Sequence, residues 1–159
     1  MPALVMSLSR PDYDRIKLDE KRMAHKSGTL CQRAYIAFGS NVGQSVSHIE
    51  MAAKLMEERE ILVWRTSAMY QTKPMYLEDQ RDFLNGVFEI ETDMTPANLL
   101  KKLKSIEKEL GRIKGIENGP RPIDLDILLY GKETVNTSDL IIPHARIMER
   151  EFVLKPLCE

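Results

Sequence analysis

Two carboxylates stand two residues apart inside an otherwise apolar run, Asp124 and Asp126 in I-D-L-D-I-L-L-Y at 123–130. Gly119-Pro120 closes the loop before this run and Gly131 ends it, so the pattern predicts a buried strand from Ile123 to Tyr130. Side chains alternate faces along a strand, which places the two acids on one side, about 7 Å apart by rise. Leu125, Ile127 and Leu129 then face the other side and supply core. Adjacent acids repel unless a cation lies between them. Hard oxygen ligands suit magnesium, which takes one or two carboxylates together with substrate phosphates. Arg121, three residues before the first acid, is within reach of a phosphate on such a metal. The plainer reading is the solvated face of an edge strand, since antiparallel sheets alternate apolar and polar residues. Asp is depleted in strands, yet the bare pattern leaves both readings open.

The elements that would position these acids follow in chain order. Residues 1–32 carry densely mixed charge between Arg10 and Lys26, followed by Ser27-Gly28-Thr29. They read as a mobile tail or interdomain linker, and 33–159 as the functional domain. Ala34 to Phe38 is a strand entering a turn at Gly39-Ser40-Asn41. Glycine turns before helices can cradle phosphate, but G-S-N-x-G fits neither a P-loop nor a dinucleotide fingerprint. Ser45 or Ser47 is the expected cap of a helix with Val46, Ile49, Ala53 and Met56 on one face. A second strand is expected from Ile61 to Tyr70, then a loop from Gln71 to Asp82, long enough to suggest function. Phe83 to Glu91 returns as a strand with Phe83 and Asn85 on one face. A ring beside an amide can hold a flat heterocycle by stacking and edge hydrogen bonds. Equally, Phe83 can be core and Asn85 the end of a turn.

Thr95-Pro96 starts a helix, with Leu99, Leu103, Ile106 and Leu110 as its apolar stripe and Gly111 at its end. Lys101, Lys102, Lys104 and Lys108 read as its solvated face, and Glu107 points toward the sheet edge. Arg112 and Lys114 follow in a polar loop that leads to the acid strand. Past Gly131, residues 132–138 read as a turn and short hairpin, and Pro143-His144 opens a helical turn through Met148. A histidine in that setting is more often a cap or surface residue than a ligand. The order strand-helix-strand-strand-helix-strand implies an α+β, ferredoxin-like domain, a largely antiparallel sheet with helices packed against it.

The 159 residues are 43% hydrophobic, enough for one globular domain, and the net charge of −1 gives no broad field toward nucleic acid or an acidic membrane. No apolar run reaches transmembrane length. Cys31 and Cys158 have no metal or redox spacing, which fits a reducing, intracellular setting.

G-P-R-x-x-D-L-D-I-L-L at 119–129 resembles the signature of the 6-hydroxymethyl-7,8-dihydropterin pyrophosphokinase family of folate biosynthesis. The resemblance extends through A-Y-I-A-F-G-S-N at 34–41, Y-Q-T-K-P-M at 70–75, D-Q-x-x-F-L-N at 79–85, I-E-K-E-L-G-R at 106–112 and P-H-x-R-x-x-x-R-x-F-V-L-x-P-L at 143–157. It implies transfer of the β,γ-diphosphoryl group of ATP to the pterin hydroxymethyl with release of AMP. By the same resemblance, Asp124 and Asp126 hold two Mg2+ ions, and Arg112 and Arg121 clamp the migrating phosphates. Phe83 and Phe152 sandwich the pterin, while Asn85 and the backbone of Thr72, Pro74 and Met75 read its edge. Glu107, Lys114, Ile127, His144 and Arg150 lie at the ATP site. Loops 71–82 and 112–120 close over both substrates.

Three positions depart from the family pattern. Lys114 replaces a frequent Arg and loses its bidentate fork, Asn118 stands where some relatives have Trp in a loop one residue longer, and Ala145 replaces an aromatic. Relatives usually continue beyond P-L-x-E, so a domain cut at its C-terminus is expected, with covalent fusion to neighbouring folate-pathway domains. A cytoplasmic setting is expected, or a mitochondrial one within a eukaryotic fused enzyme. The competing hypothesis is a non-catalytic pterin- or ATP-binding module. Nucleic-acid binding is weaker, given the near-neutral charge and no stacking platform.

Overall fold

The computed structural model describes residues 3–7, 31–74, 78–112, 119–149 and 157–158. Its elements are β1 (Ala3–Ser7), β2 (Gln32–Ser40), α1 (Ser45–Glu58), β3 (Leu62–Thr66), β4 (Ala68–Thr72), β5 (Phe83–Thr92), α2 (Pro96–Glu109), β6 (Asp124–Tyr130), β7 (Val135–Asn136) and β8 (Ile141–Ile142), with a 3-10 turn at Ile147–Glu149. The main sheet runs β1-β4-β5-β2-β6, with β3 also paired to β5, and every pairing is antiparallel. From β2 to β6 this is the expected α+β, ferredoxin-like arrangement.

Alternation along the strands builds the core. Ala34, Ile36 and Phe38 of β2 and Leu84, Phe88 and Ile90 of β5 join Ile49, Ala52 and Met56 of α1 and Leu99, Leu103 and Ile106 of α2 in one buried cluster. Gly86 is needed there, because a Cβ would come within 2.2 Å of the Phe38 ring. The opposite face carries a smaller cluster of Val87 and Leu128, with Tyr35, Ala37, Leu129, Ile147 and Leu157 packed on it.

Several expectations need correction. The strand predicted from Ile61 to Tyr70 is two strands, β3 and β4, paired in succession along the edge of β5 opposite β2. Ser67 separates them: its N–H still donates to Val87 O, but its hydroxyl accepts from Val87 N–H in place of its carbonyl and donates to Ala68 O. Neither Ser45 nor Ser47 caps α1, which starts after Gln44 with no side-chain cap. Part of the segment read as a tail is a strand, since Ala3–Ser7 pairs with β4. Leu129 does not face the side of Leu125 and Ile127. The register of β6 against β2 slips between Ile127 and Leu129, so Leu128 is an extra residue and both leucines join the smaller cluster.

The second helix forms as expected. Thr95 Oγ1 accepts from Asn98 N–H, Pro96 takes the first helical position, and Gly111 follows the end at φ +95°. β6 ends at Gly131, φ +50°, and β7 and β8 form a hairpin that runs past the expected 132–138 to Ile142.

Candidate active site

β6 lies at the edge of the sheet, and its start carries both acids on the face away from the helices. An edge strand leaves backbone groups unpaired unless something covers them. Here α2 covers them: Glu107, 3% exposed, accepts from Leu125 N–H at 2.7 Å, and Lys104 Nζ reaches Leu125 O at 3.4 Å. Glu107 therefore points to the sheet edge as expected. Lys104 is not simply solvated. Its ammonium lies 3.1 Å from Glu107 and 3.9 Å from Asp126.

The two arginines converge on the first acid. Arg112 Nη1 is 2.5 Å from Asp124 Oδ1 and 2.9 Å from Glu107, and Arg121 Nη1 is 3.1 Å from Asp124 Oδ2. Burial works against charge on Asp124, but Arg112, then Arg121 and Lys104, outweigh it and hold the carboxyl below its ordinary range. For Glu107 burial wins and raises the carboxyl, against the pull of Lys104, the Leu125 N–H and Arg112. Burial also weighs against the charge of Arg112, but Asp124 and Glu107 raise its pKa further. Three acids thus face three cations at one end of the sheet.

The donor set fits magnesium with a polyphosphate better than a protein-enclosed metal. Two carboxylates project from one strand face, and among the described residues no cluster of three or more His, Cys, Asp or Glu side chains is suited to a metal. Magnesium commonly keeps such a sparse protein set and completes its shell with water and phosphate.

The second half of the site lies across β2. Sheet register sets Tyr70, Asn85, Gly39 and Asp124 in one row, so Asn85 and Asp124 flank Gly39 on neighbouring strands. Adjacent strands are about 5 Å apart, which puts the two backbones about 10 Å apart. Gly39 keeps the floor between them bare: a Cβ there would come within 2.8 Å of Asn85 Oδ1 and 3.7 Å of the Phe83 ring. Asn85 is buried and donates to Thr72 Oγ1 at 2.5 Å. Arg121 joins the two halves, its guanidinium carbon 5.4 Å from the centroid of the Phe83 ring. Gln71 Nε2 donates to Asp82 Oδ2 at 3.1 Å, drawing together the ends of the loop that contains Pro74.

Ile127 and His144 lie on and beside β6. Ile127 is 2% exposed, with its side chain in the main core rather than on the acid face. His144 donates its backbone N–H to Leu128 O at 3.0 Å, docking its turn on β6, and its Nδ1 accepts from Arg146 N–H. Met75, Lys114, Asn118, Arg150 and Phe152 lie outside the described residues. One residue of the site, Lys104, carries no local signal in the sequence, since it matches a solvated lysine face.

The fold is that of an α+β domain whose acids and arginines cluster at the β6 edge of the sheet. A family model for 7,8-dihydro-6-hydroxymethylpterin-pyrophosphokinase (HPPK) matches residues 35–159, and the chain belongs to that family. It is 48% identical over 128 residues to "Folic acid synthesis protein fol1" of Pneumocystis carinii, covering 80% of this chain and 17% of that protein. It is 47% identical over 131 residues to "Folate synthesis bifunctional protein, mitochondrial" of Pisum sativum, covering 82% of this chain and 25% of that protein. It is 45% identical over 127 residues to "2-amino-4-hydroxy-6-hydroxymethyldihydropteridine pyrophosphokinase" of Bacillus subtilis, covering 79% of this chain and 76% of that protein. The chain thus spans a quarter or less of the fungal and plant relatives named here.

Proposed function

We propose that this domain transfers a diphosphoryl group from ATP to the hydroxymethyl oxygen of 6-hydroxymethyl-7,8-dihydropterin. The new bond joins that oxygen to the β-phosphorus, the bond from the β-phosphorus to the α,β-bridging oxygen breaks, and AMP leaves. The observation that carries this reading is the convergence of Arg112 and Arg121 on Asp124 beside Asp126, one strand away from the Phe83–Asn85 surface. Phosphoryl transfer needs positioning and charge neutralisation more than a protein nucleophile. Asp124 and Asp126 would hold magnesium, which supplies charge neutralisation on the triphosphate. As phosphates arrive, Arg112 and Arg121 turn part of their hydrogen bonding from Asp124 to the migrating group. Glu107 stays behind Arg112 and keeps its guanidinium aimed. Phe83 offers a ring face and Asn85, with Thr72 and the backbone toward Pro74 and Met75, the polar edge, while Phe152 would close the other ring face. Lys114, Ile127 through its backbone, His144 and Arg150 would border the nucleotide.

The domain's place inside longer folate proteins in the fungal and plant relatives supports covalent fusion to neighbouring folate-pathway activities. The "mitochondrial" in the pea protein's name supports that compartment as an alternative to the cytoplasm. No helix among the described residues is long and apolar enough to cross a membrane.

The test is product identity. With ATP labelled at the γ-phosphate, the pterin and magnesium, label should move to the pterin as AMP accumulates. Formation of ADP, or label appearing only as inorganic phosphate, would rule the reading out.

A further inference from the structure

The cations at the acid end of the sheet are not equivalent. Arg112 and Arg121 both meet Asp124. Lys104, inside α2, reaches instead toward Asp126, its ammonium 3.9 Å from Oδ1. Two further acceptors fix that position, Glu107 Oε1 at 3.1 Å and Leu125 O at 3.4 Å. An ammonium has three donors, and two of them are spent here on groups that are themselves held. Glu107 is buried and tied to Leu125 N–H and Arg112, and Leu125 O belongs to β6. The Lys104 side chain is 45% exposed, so solutes entering the site meet its charge. One of the two acids proposed for magnesium therefore has an anchored positive charge beside it.

We propose that Lys104 is a charge filter at the acid pair, opposing a bare divalent cation at Asp126 and favouring the same cation when it arrives bound to a polyphosphate. The inference rests on the reading of Asp124 and Asp126 as magnesium-holding acids in diphosphoryl transfer. A bare divalent cation entering beside Asp126 meets a like charge a few ångströms away, in a partly exposed site where such repulsion is only partly screened. The complex of that cation with an ionised triphosphate is net negative, so the same ammonium attracts it. Lysine suits the role because its charge is compact, and the two anchoring acceptors keep it from swinging clear of the incoming metal. The acid pair is thereby kept from filling with free divalent cation, and metal and phosphates enter together.

Manganese is the probe, because the paramagnetic resonance of its free aquo ion reports binding of the metal alone. Lys104→Gln and Lys104→Met remove the charge, and Lys104→Arg keeps it. In all three Glu107 retains Arg112 and the Leu125 N–H. Each protein is checked for folding by circular dichroism and titrated with Mn2+ at low salt, with and without α,β-methylene-ATP. The neutral variants should bind Mn2+ alone about tenfold more tightly than wild type and the Mn2+–nucleotide complex less tightly, with high salt shrinking both differences. Structural damage would not tighten metal binding. Lys104→Arg should follow wild type, and adding Asp126→Asn to Lys104→Gln should abolish the gain. Folded neutral variants with wild-type affinity for Mn2+ alone, or an equal tightening in Lys104→Arg, would overturn the proposal. If wild type forms no AMP while the neutral variants still tighten Mn2+, the reaction assignment fails and the filter stands. If AMP forms and neither neutral variant tightens Mn2+, the reverse holds.

Discussion

At Asp124, burial and two guanidiniums pull in opposite directions, and the guanidiniums win. A carboxyl lowered in the folded state contributes stability that is full above its ordinary value of 3.8 and is lost as pH falls through its lower folded value. Glu107 has the opposite sign: raised in the fold, it contributes stability that is full below its ordinary value of 4.5 and is lost as pH rises through its higher folded value. Urea unfolding of the metal-free protein should therefore show Asp124→Asn losing less stability than wild type between pH 4 and 2. At Arg121 shape matters beside charge. Arg121→Lys keeps a cation but loses the planar fork that spans Gly119 O and Asp124. Steady-state kinetics should show kcat falling about 10- to 100-fold with a smaller change in nucleotide affinity. The acids were legible in the sequence because their type is rare in an apolar strand and their spacing matches its period, while Arg112 and Arg121 were marked by their nearness to that strand and by the family resemblance. Lys104 was not, since its neighbours Lys101, Lys102 and Lys108 make an ordinary solvated pattern, and only the edge of β6 gives it partners.

Among the elements, β2 separates the two subsites, and its bare Gly39 is what lets Asn85 and Asp124 face one another across it. Gly39→Ala should raise the pterin KM about tenfold through displacement of Asn85, with nucleotide affinity nearly unchanged, as isothermal titration with each ligand would show. Thr95→Ala, by contrast, removes only the cap of α2. Denaturant unfolding should show a loss of about 1 kcal/mol with unaltered kcat and KM. Helix 96–109 was predictable because cap, proline and stripe agree, and the β2–α1–β5–α2–β6 order followed from alternating periods. The break at Ser67 was hidden, since its hydroxyl makes bonds that a run of strand formers does not reveal. The slip at Leu128 was hidden for a related reason. The unbroken apolar run Ile127-Leu128-Leu129 has no polar residue to mark which face each side chain takes. Ile127 faces the helices, while Leu128 and Leu129 face the smaller cluster.

For the whole molecule, the site joins the β6 edge, the end of α2 and the segments before β5 and β6, so the ligands proposed for it would bridge parts of the chain that are far apart in sequence. Ligands that bind only the folded state stabilise it by mass action, about 2.7 kcal/mol at a hundredfold excess over Kd. Magnesium with α,β-methylene-ATP should therefore raise the melting temperature of wild type, and chelation should reverse the rise. The overall fold could be inferred from element order and composition, whereas the closeness of Arg121 to Phe83 depends on packing between loops that no local pattern records. The central claim is that the Asp124–Asp126 pair serves diphosphoryl transfer rather than strand packing. The most direct measurement is AMP formation from ATP and 6-hydroxymethyl-7,8-dihydropterin as magnesium is titrated, comparing wild type with Asp126→Ala. Saturable, magnesium-dependent AMP release by wild type, reduced at least about 100-fold in a folded Asp126→Ala protein, is the predicted result. Equal turnover by the two proteins, or none by wild type at any magnesium concentration, would contradict it.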